Sequence, residues 1–202
     1  MKPRRSKYAV VVAFAESVLL AGCQQMGSGQ AATPMPQGFT SCNFHYEKDW
    51  INDGNYAELP FIPAGTPAKV TNYGRYRAGV DIGGKPMRLG QDYGREQESL
   101  EAWVAKMIVP SDPKLKIATY PAEVQEAIRQ GRIMKGMTKE QVIISIGYPM
   151  TSETRSLREN AWRYWVSSFG PYTVSWNAEG RVQDIEADRA LSSMIVYKTT
   201  RR

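Results

Sequence analysis

The sequence predicts an α+β fold, in which a small strand-rich segment with one amphipathic helix precedes two helices and a three-stranded antiparallel sheet. Three patterns indicate this class. A capping motif marks a helix from Thr138 to Ile146, two glycines at Gly83-Gly84 mark a hairpin turn, and apolar residues alternate in three short runs after residue 160. Helices and strands that occur in separate blocks are typical of layered α+β domains.

The chain begins with the features of an export signal. Four basic residues lie between Met1 and Lys7, and Tyr8 to Leu20 is mostly apolar. This apolar run is too short for a comfortable transmembrane helix. We therefore expect the first part of the chain to direct export.

The end of the apolar run, Leu20-Ala21-Gly22-Cys23, resembles the lipobox of bacterial lipoproteins. In that class the cysteine sulfur is acylated and the residues before it are removed. The resemblance implies a lipoprotein signal peptide over residues 1–22, lipidation of Cys23, and acyl chains such as palmitate in the outer membrane, because Gln24 rather than aspartate follows. A plain secretory signal cleaved nearby is the alternative.

Charge gives no support to a nucleic-acid partner. The chain has 26 Lys and Arg against 20 Asp and Glu, a formal charge of +6. Loss of residues 1–22 removes four basic residues and one acidic residue, which leaves +3. The sequence contains no stripe of basic residues and no recognised nucleic-acid motif, so we expect no nucleic-acid binding.

Cysteine usage fits an acylated protein in an oxidising compartment. If Cys23 carries lipid, Cys42 is the remaining cysteine, either buried and inert or available for an intermolecular pair, with burial favoured. If Cys23 were free, a disulfide between Cys23 and Cys42 would be possible.

Residues 23–38 are rich in Gly, Ser, Gln, Ala and Pro and are expected to form a flexible tether.

Residues 39–110 form the predicted strand-rich domain, for which an SH3-like barrel is one candidate. Counting back from the glycine turn pairs Val80 with Met87 and Ala78 with Leu89, all on one face. A third strand is predicted from Ala68 to Tyr73. An amphipathic helix is predicted from the spacing of Leu100, Trp103, Val104, Met107 and Ile108.

Residues 111–202 form the second predicted domain. A helix from Pro121 to Gln130 stops at Gly131, and the Thr138 helix carries a capping box with Gln141. The Thr138 helix is apolar on more than one side and should be largely buried. The predicted meander consists of Ala161 to Ser167, Tyr172 to Trp176 and Arg181 to Ala187. The segment from Ser192 to Lys198 is expected either to add a strand or simply to trail from the sheet as a C-terminal tail.

Several short motifs of this second domain resemble the BamE/SmpA (OmlA) family of outer-membrane lipoproteins. The resemblance covers Val124 to Ala187 and implies a helix-helix-three-strand fold without enzymatic activity. It also implies a role beside the machine that inserts β-barrel proteins, with contacts to other lipoproteins and phosphatidylglycerol. The chain differs from small family members in carrying the strand-rich segment. The motifs are Gly136-Met137-Thr138-Lys139-Glu140-Gln141-Val142, Gly147-Tyr148-Pro149, Trp162-Arg163-Tyr164 and Gly180-Arg181-Val182.

Motifs for catalysis or metal binding are weak. His45, Glu47 and Asp49 alternate and could ligate a metal, but a solvated strand face explains them better, since His45 is the single histidine of the chain. Gly79 to Lys85 has P-loop spacing, but Pro86 stands where the Ser or Thr belongs, so a hairpin turn is favoured. We expect no catalytic residues, no metal and no cofactor.

The aromatic residues near the end of the chain suggest a binding surface. If Trp162, Tyr164 and Val166 face the helices, Arg163 and Trp165 face outward, where a protein partner or lipid headgroups could meet them. Arg155 and Arg158 lie alongside in sequence. Trp165 instead could tuck under the Thr151 to Asn160 loop or the C-terminal tail; the two readings stay open.

The sequence therefore predicts a lipid-anchored outer-membrane lipoprotein facing the periplasm, with a non-catalytic binding or scaffolding role in envelope or outer-membrane protein assembly. Its expected partners are the outer membrane through the acyl anchor, other envelope proteins, and an anionic phospholipid. Two alternatives remain: an anchored inhibitor of a periplasmic enzyme, and a cell-wall-associated anchor of an envelope complex.

Overall fold

The structure is a computed structural model that describes residues 35–198, which belong to one compact unit. The predicted signal peptide, the Cys23 lipidation site and most of the predicted tether lie outside the described residues. The predicted α+β class is confirmed. The strands are β1 (Gln37–Thr40), β2 (Phe44–His45), β3 (Trp50–Asn52), β4 (Phe61–Ile62), β5 (Pro67–Tyr73), β6 (Arg77–Ile82), β7 (Lys85–Gly90), β8 (Ile108–Val109), β9 (Ala161–Trp165), β10 (Pro171–Trp176) and β11 (Val182–Glu186). The helices are α1 (Leu100–Met107), α2 (Pro113–Ile117), α3 (Ala122–Arg129), α4 (Lys139–Ile146) and α5 (Arg189–Ile195).

The strand-rich part forms a curled six-stranded sheet in the order β3-β7-β6-β5-β1-β8. The predicted hairpin register is confirmed, because Val80 pairs with Met87 and Ala78 pairs with Leu89. Gly83 and Gly84 both have positive φ in the turn, which explains the P-loop-like spacing without a phosphate site. β3 pairs in parallel with β7, and β1 begins at Gln37, inside the segment predicted as tether.

Helix α1 covers the inner face of this sheet. Ser99 caps the helix by accepting from the Ala102 N–H, and Trp103, Val104 and Met107 are buried, as the predicted spacing requires. The helix ends one residue before the predicted Ile108, which becomes extended and pairs with Thr40. These side chains share one apolar cluster with Cys42, Phe44, Ile51, Val70, Val80 and Leu89.

Helices α3 and α4 pack beside the three-stranded sheet. The capping box of α4 is confirmed: the Gln141 N–H donates to the Thr138 hydroxyl at 3.3 Å, and the Gln141 side chain accepts from the Thr138 N–H at 2.9 Å. Most of α4 is buried, as predicted, and the helix ends at Gly147, whose φ is 85°. Helix α3 starts within one residue of its predicted limit and ends one residue before it.

Strands β9, β10 and β11 form the predicted antiparallel meander. Its inner face and the helices enclose the second apolar cluster, in which four aromatic rings contact one another. Trp162 lies edge-on to Trp176 at 4.6 Å between ring centroids, and Tyr164 stacks on Tyr172 at 5.6 Å. One sheet face thus buries the rings of four aromatic residues.

The C-terminal segment differs from both sequence expectations. Residues 192–198 neither form a strand nor simply trail, because α5 occupies Arg189–Ile195. The Asp188 side chain caps this helix by accepting from the Leu191 N–H at 2.8 Å. Ile195 is fully buried in the second cluster, and Val196 then bridges to Ile133. The buried Ile195 therefore holds the helix against the domain.

Two buried asparagines join the strand-rich part to α3 and α4. The Asn43 side-chain amide donates to the carbonyl oxygens of Ile128 and Ser145, at 2.8 and 2.9 Å. The Asn55 amide donates to the carbonyl oxygen of Ile146 at 2.7 Å. These carbonyls belong to the last turns of the helices and lack partners within the helix. The asparagines therefore cap the helices while they fix the two parts together.

Candidate interaction surface

The two residues predicted to face outward from β9 lie together on the outer face of the three-stranded sheet. Arg163 is exposed, and its Cζ lies 5.6 Å from the centroid of the Trp165 ring. Trp165 is half-buried, and its Nε1 is buried without a hydrogen-bond partner among residues 35–198. The ring is thus neither fully outward nor fully covered.

The strand-rich part meets β9 at the end that carries Trp165. The Ala57 N–H donates to the Trp165 carbonyl oxygen at 3.4 Å, and the Glu58 N–H donates to the Val166 carbonyl oxygen at 3.1 Å. These bonds continue the edge of the sheet onto residues 57 and 58. Trp165 therefore lies at the boundary between the two parts of the molecule.

Arg155 and Arg158 are exposed on the loop that precedes β9. The loop is held at one point by Thr154, whose hydroxyl accepts from the Arg163 N–H at 3.0 Å. It is held at another by Lys139, whose ammonium donates to the carbonyl oxygens of residues 157 and 159 at 2.7 and 3.0 Å. Both arginines thus stand on a fastened loop beside the edge of β9.

Lys139 also contacts the aromatic core. Its Nζ lies 5.1 Å from the centroid of the Trp162 ring and 5.4 Å from that of Trp176. Desolvation lowers the pKa of this ammonium. The contact joins the fastened loop to the buried rings, so that movement of the loop would disturb the core.

Phe169 is the functional candidate that sequence reasoning missed. It lies in the loop between β9 and β10, and 95% of its surface is exposed. The loop itself is ordered by a hydrogen bond from the Val166 N–H to the Gly170 carbonyl oxygen at 2.7 Å. Full burial of a phenylalanine contributes about 2–3 kcal/mol, which this side chain does not gain in the isolated chain. The available signal was an aromatic residue inside a Ser-Ser-Phe-Gly-Pro turn.

Two tyrosines border the same loop. The Ser168 hydroxyl lies 3.5 Å from the Tyr56 hydroxyl, which is 2.6 Å from the Tyr93 hydroxyl. The hydrogen bond to Tyr56 is the main cause that raises the pKa of Tyr93. The contact of Ser168 with Tyr56 thus joins the loop that carries Phe169 to the two tyrosines; we call Phe169, Trp165, Arg163, Tyr56 and Tyr93 the ring surface.

His45 does not occupy a solvated strand face, so that expectation is wrong. It is buried at 4% exposure, and its Nδ1 donates to the Leu59 carbonyl oxygen at 2.7 Å. Burial lowers the pKa of the imidazole, and the bond to Leu59 opposes this only in part. The alternation fails because β2 ends at His45. Residues 35–198 contain no group of three or more His, Cys, Asp or Glu arranged to hold a metal.

Cys42 is fully buried, as favoured from the sequence, and it is a free thiol in the described structure. The Ser41 hydroxyl donates to its sulfur at 3.7 Å. Burial raises the pKa of the thiol to about 12, so the reactive thiolate is scarce at neutral pH. Cys42 therefore serves packing in this fold.

Comparison with family models, with curated proteins and with solved structures finds no match for the chain. Among the helices that the structure describes, none has the length and apolar character needed to span a bilayer.

Proposed function

We propose that the protein is a lipid-anchored, periplasm-facing lipoprotein of the outer membrane that binds other envelope proteins without catalysing a reaction. The anchor is Cys23, as its lipobox-like context suggests. The folded part supplies the ring surface as the binding site. In this proposal Arg155 and Arg158 flank the site and contribute to the recognition of acidic groups on the partner.

The observation that carries the proposal is the exposure of Phe169. A nearly fully exposed aromatic side chain on an ordered loop loses hydrophobic free energy unless another molecule covers it. Its neighbours are the residue types that dominate binding energy at protein interfaces, namely tyrosine, tryptophan and arginine.

A role in outer-membrane protein assembly is the more specific form of the proposal. Its support is the chain order α3, α4, β9, β10, β11, together with the capped helix and the Trp-Arg-Tyr strand that suggested the BamE/SmpA family. Under this proposal the strand-rich part is an addition that holds the ring surface from one side, through Ala57 and Glu58.

The direct test is photo-crosslinking in intact cells from a reactive amino acid placed at position 169. We expect specific adducts with envelope proteins of the outer membrane. A Trp165→Ala change in the same chain should reduce these adducts at least tenfold. Leu115, which is 75% exposed on α2, provides the matched control position for an exposed apolar side chain.

The outcomes separate the candidate functions. Adducts with assembly subunits support the proposal, and a single periplasmic hydrolase would instead indicate an inhibitor. Adducts with peptidoglycan-associated proteins would indicate a cell-wall anchor. Equal adducts from positions 169 and 115, or none from position 169, would contradict the ring surface as the binding site.

A further inference from the structure

A second surface, on the strand-rich part, carries arginines stacked on aromatic rings. The Arg77 Cζ lies 4.4 Å from the centroid of the Trp50 ring, and the Arg88 Cζ lies 5.8 Å from it. The Arg75 and Arg95 Cζ atoms lie 4.9 and 5.0 Å from the Tyr76 ring. We call these six residues the arginine surface.

The arginines differ in how fully their donors are used. Arg88 forms a bidentate pair with Asp49 at 2.6 and 2.7 Å, and these hydrogen bonds lower the pKa of the aspartate. Arg95 donates to the Gln91 carbonyl oxygen. Arg75 and Arg77 form neither an ion pair nor a side-chain hydrogen bond within residues 35–198. The Asp49 carboxylate also attracts the charge of Arg77, but the N–H donors of Arg75 and Arg77 remain unused within these residues and can bind a ligand.

One face of the sheet carries Trp50 and two of the arginines. Trp50, Arg77 and Arg88 project from the outer face of β3, β6 and β7, while Ala78 and Leu89 face the core. Gly90 lies beneath the Trp50 ring, and a Cβ at this position would overlap the ring. The glycine thus lets the tryptophan lie across the sheet, with the arginines around it.

We propose that the arginine surface binds the phosphate groups of anionic phospholipids in the bilayer to which the protein is anchored. Guanidinium groups recognise phosphate oxygens through paired N–H donors, and stacking on a ring fixes the plane in which those donors point. Arginines that are exposed on two strands and on the adjoining loop can each meet a different headgroup of a bilayer, whereas a single buried ion would need its donors gathered in one cavity.

The position of the anchor favours this occupant. Gln37, where β1 begins, lies fourteen positions after Cys23, and this length of chain spans at most about 45–50 Å. An acyl anchor therefore confines the surface to the neighbourhood of the bilayer at high effective concentration. This step rests on the proposed function. Headgroup contact is thereby assigned to Arg75 and Arg77 and not to the outer face of β9.

The test uses the full acylated chain reconstituted into vesicles of phosphatidylcholine alone, or of phosphatidylcholine with about one third phosphatidylglycerol. A fluorophore on Thr71→Cys, an exposed position beside Gly79 of β6, reports distance to a dye on the headgroups. Buried Cys42 does not compete for the label. We expect closer approach in the anionic vesicles, lost at high salt because the charges are screened.

An Arg75→Gln/Arg77→Gln variant should weaken the docked state about 30-fold, since each arginine near an anionic surface contributes a factor of about five. The matched control is Arg189→Gln/Lys198→Gln, which removes the same charge from two exposed residues elsewhere. Approach that is equal in both vesicles, or that survives in the arginine variant, would overturn the proposal.

Two further measurements distinguish a lipid headgroup from other anions that the arginine surface could bind. Loss of approach on adding inorganic phosphate at constant ionic strength would indicate a free-phosphate site, and arginine-dependent binding to isolated peptidoglycan would indicate cell-wall carboxylates; each overturns the proposal. If the chain does not float with neutral vesicles, the anchor is wrong. In that case flotation is measured with anionic vesicles. Flotation that depends on Arg75 and Arg77 and is lost at high salt would still support binding by the arginine surface, and no flotation with these vesicles would refute that binding.

Discussion

The side-chain amide of Asn55 donates to the backbone carbonyl oxygen of Asn43 at 3.1 Å. Each of these two asparagines also reaches a helix end, Asn43 at Ser145 and Asn55 at Ile146. Asn55 adopts a positive φ of 41° to do so, which asparagine tolerates better than most residues. The pair forms a polar connection between the two apolar clusters, and it joins α3 and α4 to the strand-rich part.

We expect Asn43→Ala to lower the free energy of unfolding by about 3 kcal/mol. The change leaves the Ser145 carbonyl oxygen and the Ala64 N–H without this partner, at about 1–3 kcal/mol each, while the Ile128 carbonyl oxygen keeps the Gly131 N–H. Denaturant unfolding followed by fluorescence measures this loss. Asn72→Ala, on the exposed surface, serves as control and should change stability by less than about 0.5 kcal/mol. Equal effects of both changes would contradict the role of the asparagine pair.

Gly147→Ala should destabilise the fold more than Gly136→Ala. Both glycines have positive φ, 85° and 87°, so each replacement introduces backbone strain. A Cβ at Gly147 would also lie 2.5 Å from the Asn55 Nδ2, whereas one at Gly136 meets no atom of the described chain within 4 Å. We expect a cost of about 1 kcal/mol at Gly136 and at least twice that at Gly147. Thermal unfolding of both variants checks the order, and a reversed order would refute it.

Cys42 should make stability fall at alkaline pH. The unfolded thiol ionises from pH 9.0, while the folded thiol keeps its proton until about pH 12. The unfolded state is therefore favoured as pH rises through this window. We expect the thiol to contribute a loss of about 1 kcal/mol between pH 9 and pH 10, which Cys42→Ala removes. An unchanged pH slope in the variant would show that the thiol is not buried. Rapid labelling of the native wild-type thiol at pH 8 would show the same.

His45 should make stability fall in weak acid. Because burial lowers the pKa of its imidazole below the ordinary 6.5, the unfolded chain takes up the proton first. The stability gained from a neutral His45 is present above pH 6.5 and is lost as the pH decreases. Its slope approaches about 1.4 kcal/mol per pH unit below that point. Urea unfolding at pH 7.5 and pH 5.5 measures this loss of stability. The His45→Phe variant, which has no imidazole to protonate, is the comparison. A wild type as insensitive as the variant would contradict the burial of His45.

The sequence predicts best those elements that local signals determine. The glycine turn sets the register of β6 on β7, and Thr138 with Gln141 sets the start of α4, because these interactions span few residues. The short strands β1, β2, β3, β4 and β8 were missed. Strands of two to four residues are too short to show an alternation of apolar residues. In addition, the parallel pairing of β3 with β7 depends on the tertiary fold.

The missed helices have a different cause. Helix α5 was missed although Asp188 is a favoured N-cap residue, because the alternation of Met194 and Val196 favoured a strand. Helix α2, of five residues, begins at Pro113 after the cap Asp112 and buries no side chain, so no apolar stripe reveals it.

The candidate site could be predicted only in part. Alternation along β9 correctly separates the inward Trp162 and Tyr164 from the outward Arg163. Phe169 escaped prediction because the exposure of a loop side chain depends on which neighbours reach it, and no periodic rule describes that. The stacking of Arg77 on Trp50 likewise joins strands that are far apart in sequence. Both surfaces therefore became visible only once the strands were assembled.

The proposed roles of both surfaces depend on an acylated cysteine that holds them at a membrane. The mass of the N-terminal peptide of the native protein, extracted from cell membranes, tests this claim directly. We predict a chain that begins at Cys23 and carries acyl groups. A chain that retains residues 1–22, or that is cleaved elsewhere and leaves Cys23 unmodified, would contradict it.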